Sequence, residues 1–218
     1  MTEKLIIIDY GSGNLRSAEK AFELAASNAD CDVNISVSAD PAEILSADRI
    51  VLPGVGAFAA CSKGLRAIEG MIEALEEMVT ARSVPFLGIC VGMQLMAKTG
   101  IEHGVNEGLG WIDGNVVPFA LKDKSLKVPH MGWNEVRVSS AGQSHKVTGE
   151  LSPTDHAYFV HSYHMQVNNP EHILATVDYG TPLTAIVGRD NMLGFQFHPE
   201  KSQNVGLGLL EKFMRWKP

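Results

Sequence analysis

Cysteine is scarce: three in 218 residues, Cys31, Cys61 and Cys90. They are widely spaced, odd in number and include no C-x-x-C pair, so neither a disulfide framework nor a zinc site is indicated and no metal is expected. Positive charge is short too, with 18 Lys and Arg against 25 Asp and Glu, a formal charge of −7 and a pI near 5.6. With no basic run and no interleaving of arginine with aromatics, this argues against nucleic acid as a partner, though a phosphorylated small molecule could still find a local site. Apolar runs are brief. "MTEKLIIIDYG" is too short in its apolar part for a signal peptide, and nothing reaches the ~18 to 20 residues a membrane helix needs, so a cytosolic protein off the membrane is expected. Repeats, low-complexity tracts and linkers rich in Pro, Gly or Ser are missing, which favours one domain over residues 1–218.

What is present is ample core material: 45% of residues are apolar and the mean hydropathy is +0.02. Strand and helix patterns alternate through the first half. "KLIIIDY", "CDVNISVS", "DRIVLPG" and "VPFLGI" read as buried strands, with "NLRSAEKAFELAAS" as a helix between the first two. Leu65, Ile68, Ile72, Leu75 and Val79 recur at steps of three and four, which predicts one long helix with these on a single face. Such βαβα order with fully apolar strands implies an α/β fold, a mostly parallel central sheet flanked by helices. From Trp111 the texture changes to strand-like segments with short polar or glycine breaks, among them "NEVRVSS", "HAYFVHSYHMQV", "ILATVDY", "LTAIVGRD" and "MLGFQFHPE". These predict antiparallel meanders added to the sheet, and Val205, Leu209 and Phe213 mark a closing amphipathic helix.

Chemistry concentrates at "LGICVGM". A strand turning into a helix at G-x-C-x-G puts Cys90 in a tight exposed elbow, since Gly88 and Gly92 leave room where side chains would clash. The positive end of the helix dipole beside the sulfur favours thiolate, and the Val91 amide is a natural donor to an oxyanion. A single cysteine is usually a small packed hydrophobe; the flanking glycines tip this one towards a nucleophile, and Cys31 and Cys61 have no such setting. A base is then needed, and His198 in "GFQFHPEKS" fits best. Pro199 keeps it extended, so Glu200, two positions on, faces the same way and can orient the imidazole, as the acid of a nucleophile-base-acid triad does. His161 and His164 stand behind it as other candidates. A second oxyanion donor should come from a glycine loop at a strand's carboxyl end, and "VLPGVGAF" supplies one. "DYGSGNL" lacks the third glycine of G-x-G-x-x-G, Arg16 standing there, so no dinucleotide and no other cofactor is expected.

Together "LGICVGMQL", "LPGVGAF" and "FHPEKS" resemble the class I (triad) glutamine amidotransferases. Within that class "IDYGSGNL", "KVPHMGWNEV" and "YFVHSYH" are similar to the glutaminase subunits of imidazole glycerol phosphate synthases, over essentially the whole chain. The departures are conservative: Val91 and Met96 stand where leucines are usual. The resemblance implies that Cys90 attacks the side-chain amide of glutamine, that His198 protonates the departing ammonia and that Glu200 orients His198. It also implies Gln94, Glu102, Ser162 and Tyr163 around the glutamine, with backbone of Gly54, Val55 and Val91 forming the oxyanion hole and a "PGVG" loop that can sit with an amide turned away. The implied partner is a (β/α)₈-barrel cyclase in a heterodimer, met near Asn14, Trp133, Tyr158 and Lys201. Each of these four also has a plain reading: helix cap, core aromatic, sheet aromatic, solvated lysine. Another cysteine enzyme of the same sheet, or a relative acting only as a regulatory module, stays open beside this.

Overall fold

A computed structural model describes residues 2–218. Along the chain, β1 (Glu3–Ile8) leads through α1 (Leu15–Asn28) to β2 (Val33–Ser38), and a short α2 (Pro41–Ile44) precedes β3 (Arg49–Gly54). Then come α3 (Phe58–Arg66), α4 (Met71–Leu75) with a π-helical continuation over Glu76–Ala81, β4 (Phe86–Cys90) and α5 (Val91–Leu95). The second half holds β5 (Ala97–Gly100), β6 (Asn106–Glu107), β7 (Ile112–Pro118), β8 (His130–Glu135), β9 (Arg137–Val138) and α6 (Ser140–Ser144). It closes with β10 (His156–His161), β11 (Tyr163–Val167), β12 (Ile173–Asp178), β13 (Pro182–Arg189), β14 (Met192–Phe195) and α7 (Gln203–Arg215).

The main sheet has eight strands in the order β2-β1-β3-β4-β14-β13-β12-β9. Its first five run parallel, and β13, β12 and β9 continue it antiparallel. The expected α/β fold with a mostly parallel sheet is what forms. The reason is visible in the strands: every residue of β3 and β4 is buried, as fits strands covered on both faces. Helices α1 and α7 pack together through Phe22 and Phe213, whose rings meet edge-on at 6.3 Å.

Two expectations need correction. The single long helix over Leu65–Val79 is broken: α3 ends at Arg66, and Gly70, at φ +81°, caps the start of α4, while the apolar periodicity carries across the break. The later strands do not all join the main sheet either. Only β9, β12, β13 and β14 do; β8 and β10 form a two-stranded ribbon, and β11, β7, β5 and β6 a separate four-stranded sheet. "HAYFVHSYHMQV", read as one strand, is two strands in different sheets, parted at Ser162. That parting places Ser162 and Tyr163 beside the carboxyl ends of the parallel strands.

Candidate active site

Cys90 ends β4 and caps α5 with φ 55° and ψ −109°, a strained conformation for any residue with a Cβ. Its neighbours explain why the chain accepts it. A Cβ on Gly92 would lie 1.7 Å from the Leu52 carbonyl oxygen, and one on Gly88 would meet the Gly92 backbone at 2.7 Å. One on Gly54 would stand 2.6 Å from the Tyr10 hydroxyl and 2.8 Å from the Gly92 nitrogen. The start of α5 therefore rests directly on β3, and Gly54 pairs with Cys90 in register. The elbow is not exposed as expected: Cys90 is 4% accessible and sits on the floor of a cavity. Since α5 has only five residues, the field at the sulfur comes from the amides of one turn rather than from a long dipole. Val91, as first helical residue, has an N–H without an intrahelical acceptor.

His198 is extended before Pro199, with φ −97° and ψ 100°. Its Nδ1 lies 2.8 Å from Glu200 Oε1, with both side chains 3% accessible. The contact arises from a tight turn over Pro199–Lys201 rather than from a continued strand, so Glu200 reaches the imidazole by a geometry other than the period-two one expected. The Ser202 hydroxyl donates to the His198 carbonyl at 2.7 Å and accepts from the Tyr158 amide at 2.9 Å, which staples the turn to β10. Burial pushes the imidazole pKa down, but hydrogen bonding to Cys90 and to Glu200, with the charges of both, outweighs it and raises the value from 6.5 to about 9. At neutral pH the ring carries its proton.

A cavity of 230 Å³ brings Cys90 and His198 together with Gln94, Glu102, Ser162 and Tyr163, and with Val55 and Val91. It is smaller than the ~300 to 1,000 Å³ that drug-sized ligands occupy, and suits an amino acid. Gln94 is buried, its Nε2 donating to the Tyr163 carbonyl at 3.2 Å and to Gln196 Oε1 at 3.1 Å. Glu102 accepts the Phe58 amide at 2.7 Å, which ties its carboxylate to the start of α3. The Val55 amide does not face the cavity in this state: it donates to Ser12 Oγ at 3.1 Å, while the same hydroxyl donates to the Val55 carbonyl at 2.7 Å. A larger, open groove of 720 Å³ between α1 and α7 reaches Glu200 but not Cys90.

Two participants escaped the sequence reading. Gln196 is fully buried, and its Nε2 is the donor 3.9 Å from the Cys90 sulfur. It stands two residues before His198, immediately after β14, so the alternation argument applied to Glu200 also points to it. Ser12 sits far from Val55 in sequence, and its pairing with that loop leaves no local signal. Of the proposed partner-facing residues, Trp133 and Tyr158 meet edge-on at 6.1 Å and Lys201 Nζ lies 5.8 Å from the Tyr158 ring. Asn14 lines a crevice with Gly54, Val55 and Glu200, at the N-cap of α1 but making no capping hydrogen bond with its side chain. Of the other candidate bases, His161 lines the cavity with both ring nitrogens engaged, and burial lowers His161 and His164 alike. Among the described residues no group of His, Cys, Asp and Glu could hold a metal, and no helix is long and apolar enough to cross a membrane.

Comparison with known proteins agrees with this geometry. A solved glutamine amidotransferase shares the fold with a TM-score of 0.68 at 17% identity, covering 95% of this chain and 98% of that one. Another, from Thermotoga maritima, gives 0.59 at 16% identity over 92% and 77%. Curated proteins named imidazole glycerol phosphate synthase subunit HisH are much nearer in sequence. The one from Rhodospirillum rubrum is 53% identical and the one from Agrobacterium fabrum 54%, each over 215 residues, 99% of this chain and 100% of the relative. The family profile described as glutamine amidotransferase class-I matches residues 6–215, and with these full-length relatives it establishes that the chain belongs to the class-I glutamine amidotransferases.

Proposed function

We propose that this chain is the glutaminase subunit of an imidazole glycerol phosphate synthase in histidine biosynthesis. It acts as one cytosolic domain, in a heterodimer with a (β/α)₈-barrel cyclase. The observation that supports this best is the buried set of Cys90 on its strained corner, His198 2.8 Å from Glu200, and Gln94 at the same cavity.

In this reading the Cys90 thiolate attacks the side-chain carbonyl carbon of glutamine. The oxyanion forms against the Val91 amide, with Gly54 and Val55 completing the hole once the Val55 amide has left Ser12. Protonated His198 gives its proton to the departing nitrogen, the carbon–nitrogen bond breaks, and ammonia leaves a γ-glutamyl thioester. His198, now neutral, takes a proton from water as that water attacks the thioester, and glutamate and the thiolate are regenerated. Glu200 holds the ring and stabilises its charged form. Gln94, Glu102, Ser162 and Tyr163 bind the amino acid. Free ammonia at neutral pH is mostly protonated and no longer nucleophilic, so the product is useful only if it passes directly to an acceptor site. In the cyclase it yields imidazole glycerol phosphate and aminoimidazole carboxamide ribonucleotide. Trp133, Tyr158 and Lys201, with Asn14, face that partner.

The test is glutamate release from glutamine by the purified chain, alone and with the cyclase and its nucleotide. A low rate alone that rises steeply in the loaded complex supports the reading. A rate indifferent to the cyclase sends the search to a different acceptor enzyme.

A further inference from the structure

Behind the cavity runs a line of buried polar groups that the reaction described above does not use. His130, on β8, pairs in register with His161 at the end of β10. The His130 ring is stacked between Phe159, centroids 5.0 Å apart, and Tyr179, 4.1 Å apart, so its plane is fixed. Its Nδ1 lies 3.1 Å from His161 Nε2, and His161 Nδ1 lies 2.9 Å from the Tyr163 carbonyl oxygen. On the other side His130 Nε2 lies 3.2 Å from Asn134 Nδ2, which also donates to the Asp178 carbonyl at 2.9 Å.

The direction of every bond in this line follows from its ends. A carbonyl only accepts, so His161 Nδ1 carries the hydrogen that meets Tyr163. Burial holds His161 and His130 well below their ordinary value, at about 3 and about 4, so both rings are neutral near pH 7. A neutral ring has one donor and one acceptor. His161 Nε2 must then accept, His130 Nδ1 must donate, and His130 Nε2 must accept from Asn134, whose Oδ1 is occupied by the Glu135 amide at 2.8 Å. The same Tyr163 carbonyl receives the Gln94 side-chain amide. With both Nε2 hydrogens of Gln94 committed to Tyr163 and Gln196, its Oε1 is the atom left to accept an N–H from a ligand.

We propose that His130 and His161 are positioning residues for the glutaminase reaction, a two-imidazole strut between β8 and the Tyr163 carbonyl that fixes the side-chain amide of Gln94 towards the substrate. The inference rests on the glutaminase reading. It gives the strut no proton to transfer: neither ring reaches the sulfur, and each has both nitrogens occupied. It also ties the cavity wall to a strand whose other side chains, Met131 at 62% and Trp133 at 46% accessibility, are exposed.

Two measurements on the full chain test it. In the complex with the cyclase and its nucleotide, His161→Leu and His130→Leu are expected to raise KM for glutamine roughly tenfold, the scale that leaving one buried hydrogen-bonding group unpaired produces, with a smaller change in kcat. His130→Asn, whose Nδ2 replaces the lost Nδ1 donor, should recover most of that loss. Unchanged KM in folded leucine variants, or no recovery by asparagine, overturns the proposal. The second measurement is nitrogen-15 spectroscopy of the wild-type imidazoles, which needs no variant to fold. Hydrogen on Nδ1 in both rings supports the strut, and hydrogen on Nε2 of either overturns it. If wild-type protein releases no glutamate in the loaded complex, the glutaminase reading fails and takes the strut's role with it. That outcome is distinct from an active wild type with the wrong tautomers.

Discussion

The corner at Cys90 and the ribbon of β8 and β10 border one cavity and are built in opposite ways. At the corner, contacts come from residues close in sequence or from adjacent parallel strands, and the restricting force is steric: Gly88, Gly92 and Gly54 each have no space for a Cβ. At the ribbon, stacked rings and hydrogen bonds reach across the chain, with His130 and His161 31 positions apart and, where the line continues to the cavity, Gln94 and Tyr163 69 apart. A packed corner tolerates no added atom, while a hydrogen-bonded ribbon tolerates substitution that keeps a donor in place. The first holds Cys90 in one backbone geometry, and the second presents Met131 and Trp133 on an exposed side.

The comparison breaks most sharply with Cys90→Ser. Glutamine-driven synthesis in the complex should fall by more than ~10⁴-fold, while synthesis from added ammonium salts on the cyclase survives. Loss of both in a folded complex would make Cys90 structural. Glu200→Gln comes next. Without the carboxylate, the His198 value should fall from about 9 back towards 6.5, and glutamate release should slow by roughly 10² to 10⁴. The sign for stability follows. A folded-state value raised above the unfolded one adds stability that is complete below about 6.5 and disappears as pH climbs through about 9. Denaturant titrations from pH 6 to 10 should therefore show an alkaline decline that Glu200→Gln makes shallower; an identical decline in both proteins would remove His198 as its source.

Gly92→Ala attacks the corner through packing alone. A Cβ 1.7 Å from the Leu52 oxygen forces α5 off β3, and a loss of about 3 kcal/mol or more in unfolding free energy is expected by urea denaturation. A variant as stable as the wild type would show that the corner can relax. The smallest effect is assigned to Ser12→Ala, which removes the hydroxyl holding the Val55 amide. One such hydrogen bond is worth ~0.5 to 1.5 kcal/mol, so glutamate release by the chain without its partner should rise roughly two- to tenfold. No rise would mean that this bond does not restrain the loop.

Much of the corner is legible from residues alone. Glycines flanking a cysteine between strand and helix patterns constrain a backbone locally, and His198, Pro199 and Glu200 are contiguous. Where legibility failed, geometry was long-range. Nothing near Gly70 distinguishes a helix break from a tolerated glycine, because the apolar spacing persists through it. Ser162 parts two strands whose alternation is continuous, and only pairing with β8 on one side and β7 on the other assigns them to different sheets. Gln196 was within reach of the alternation rule, but its place against Cys90 and Gln94 appears only in the folded chain.

By itself the sequence determined the parallel sheet, the tight strand-to-helix corner at Cys90 and the contact between His198 and Glu200, since runs of buried apolar residues and short-range steric limits act within a few residues of chain. The tertiary structure decided which amides face the cavity, that the Val55 donor is held by Ser12, and that two histidines stand behind Tyr163. Those outcomes depend on where hydrogen-bond donors find acceptors after distant strands are brought together, and no local pattern encodes that.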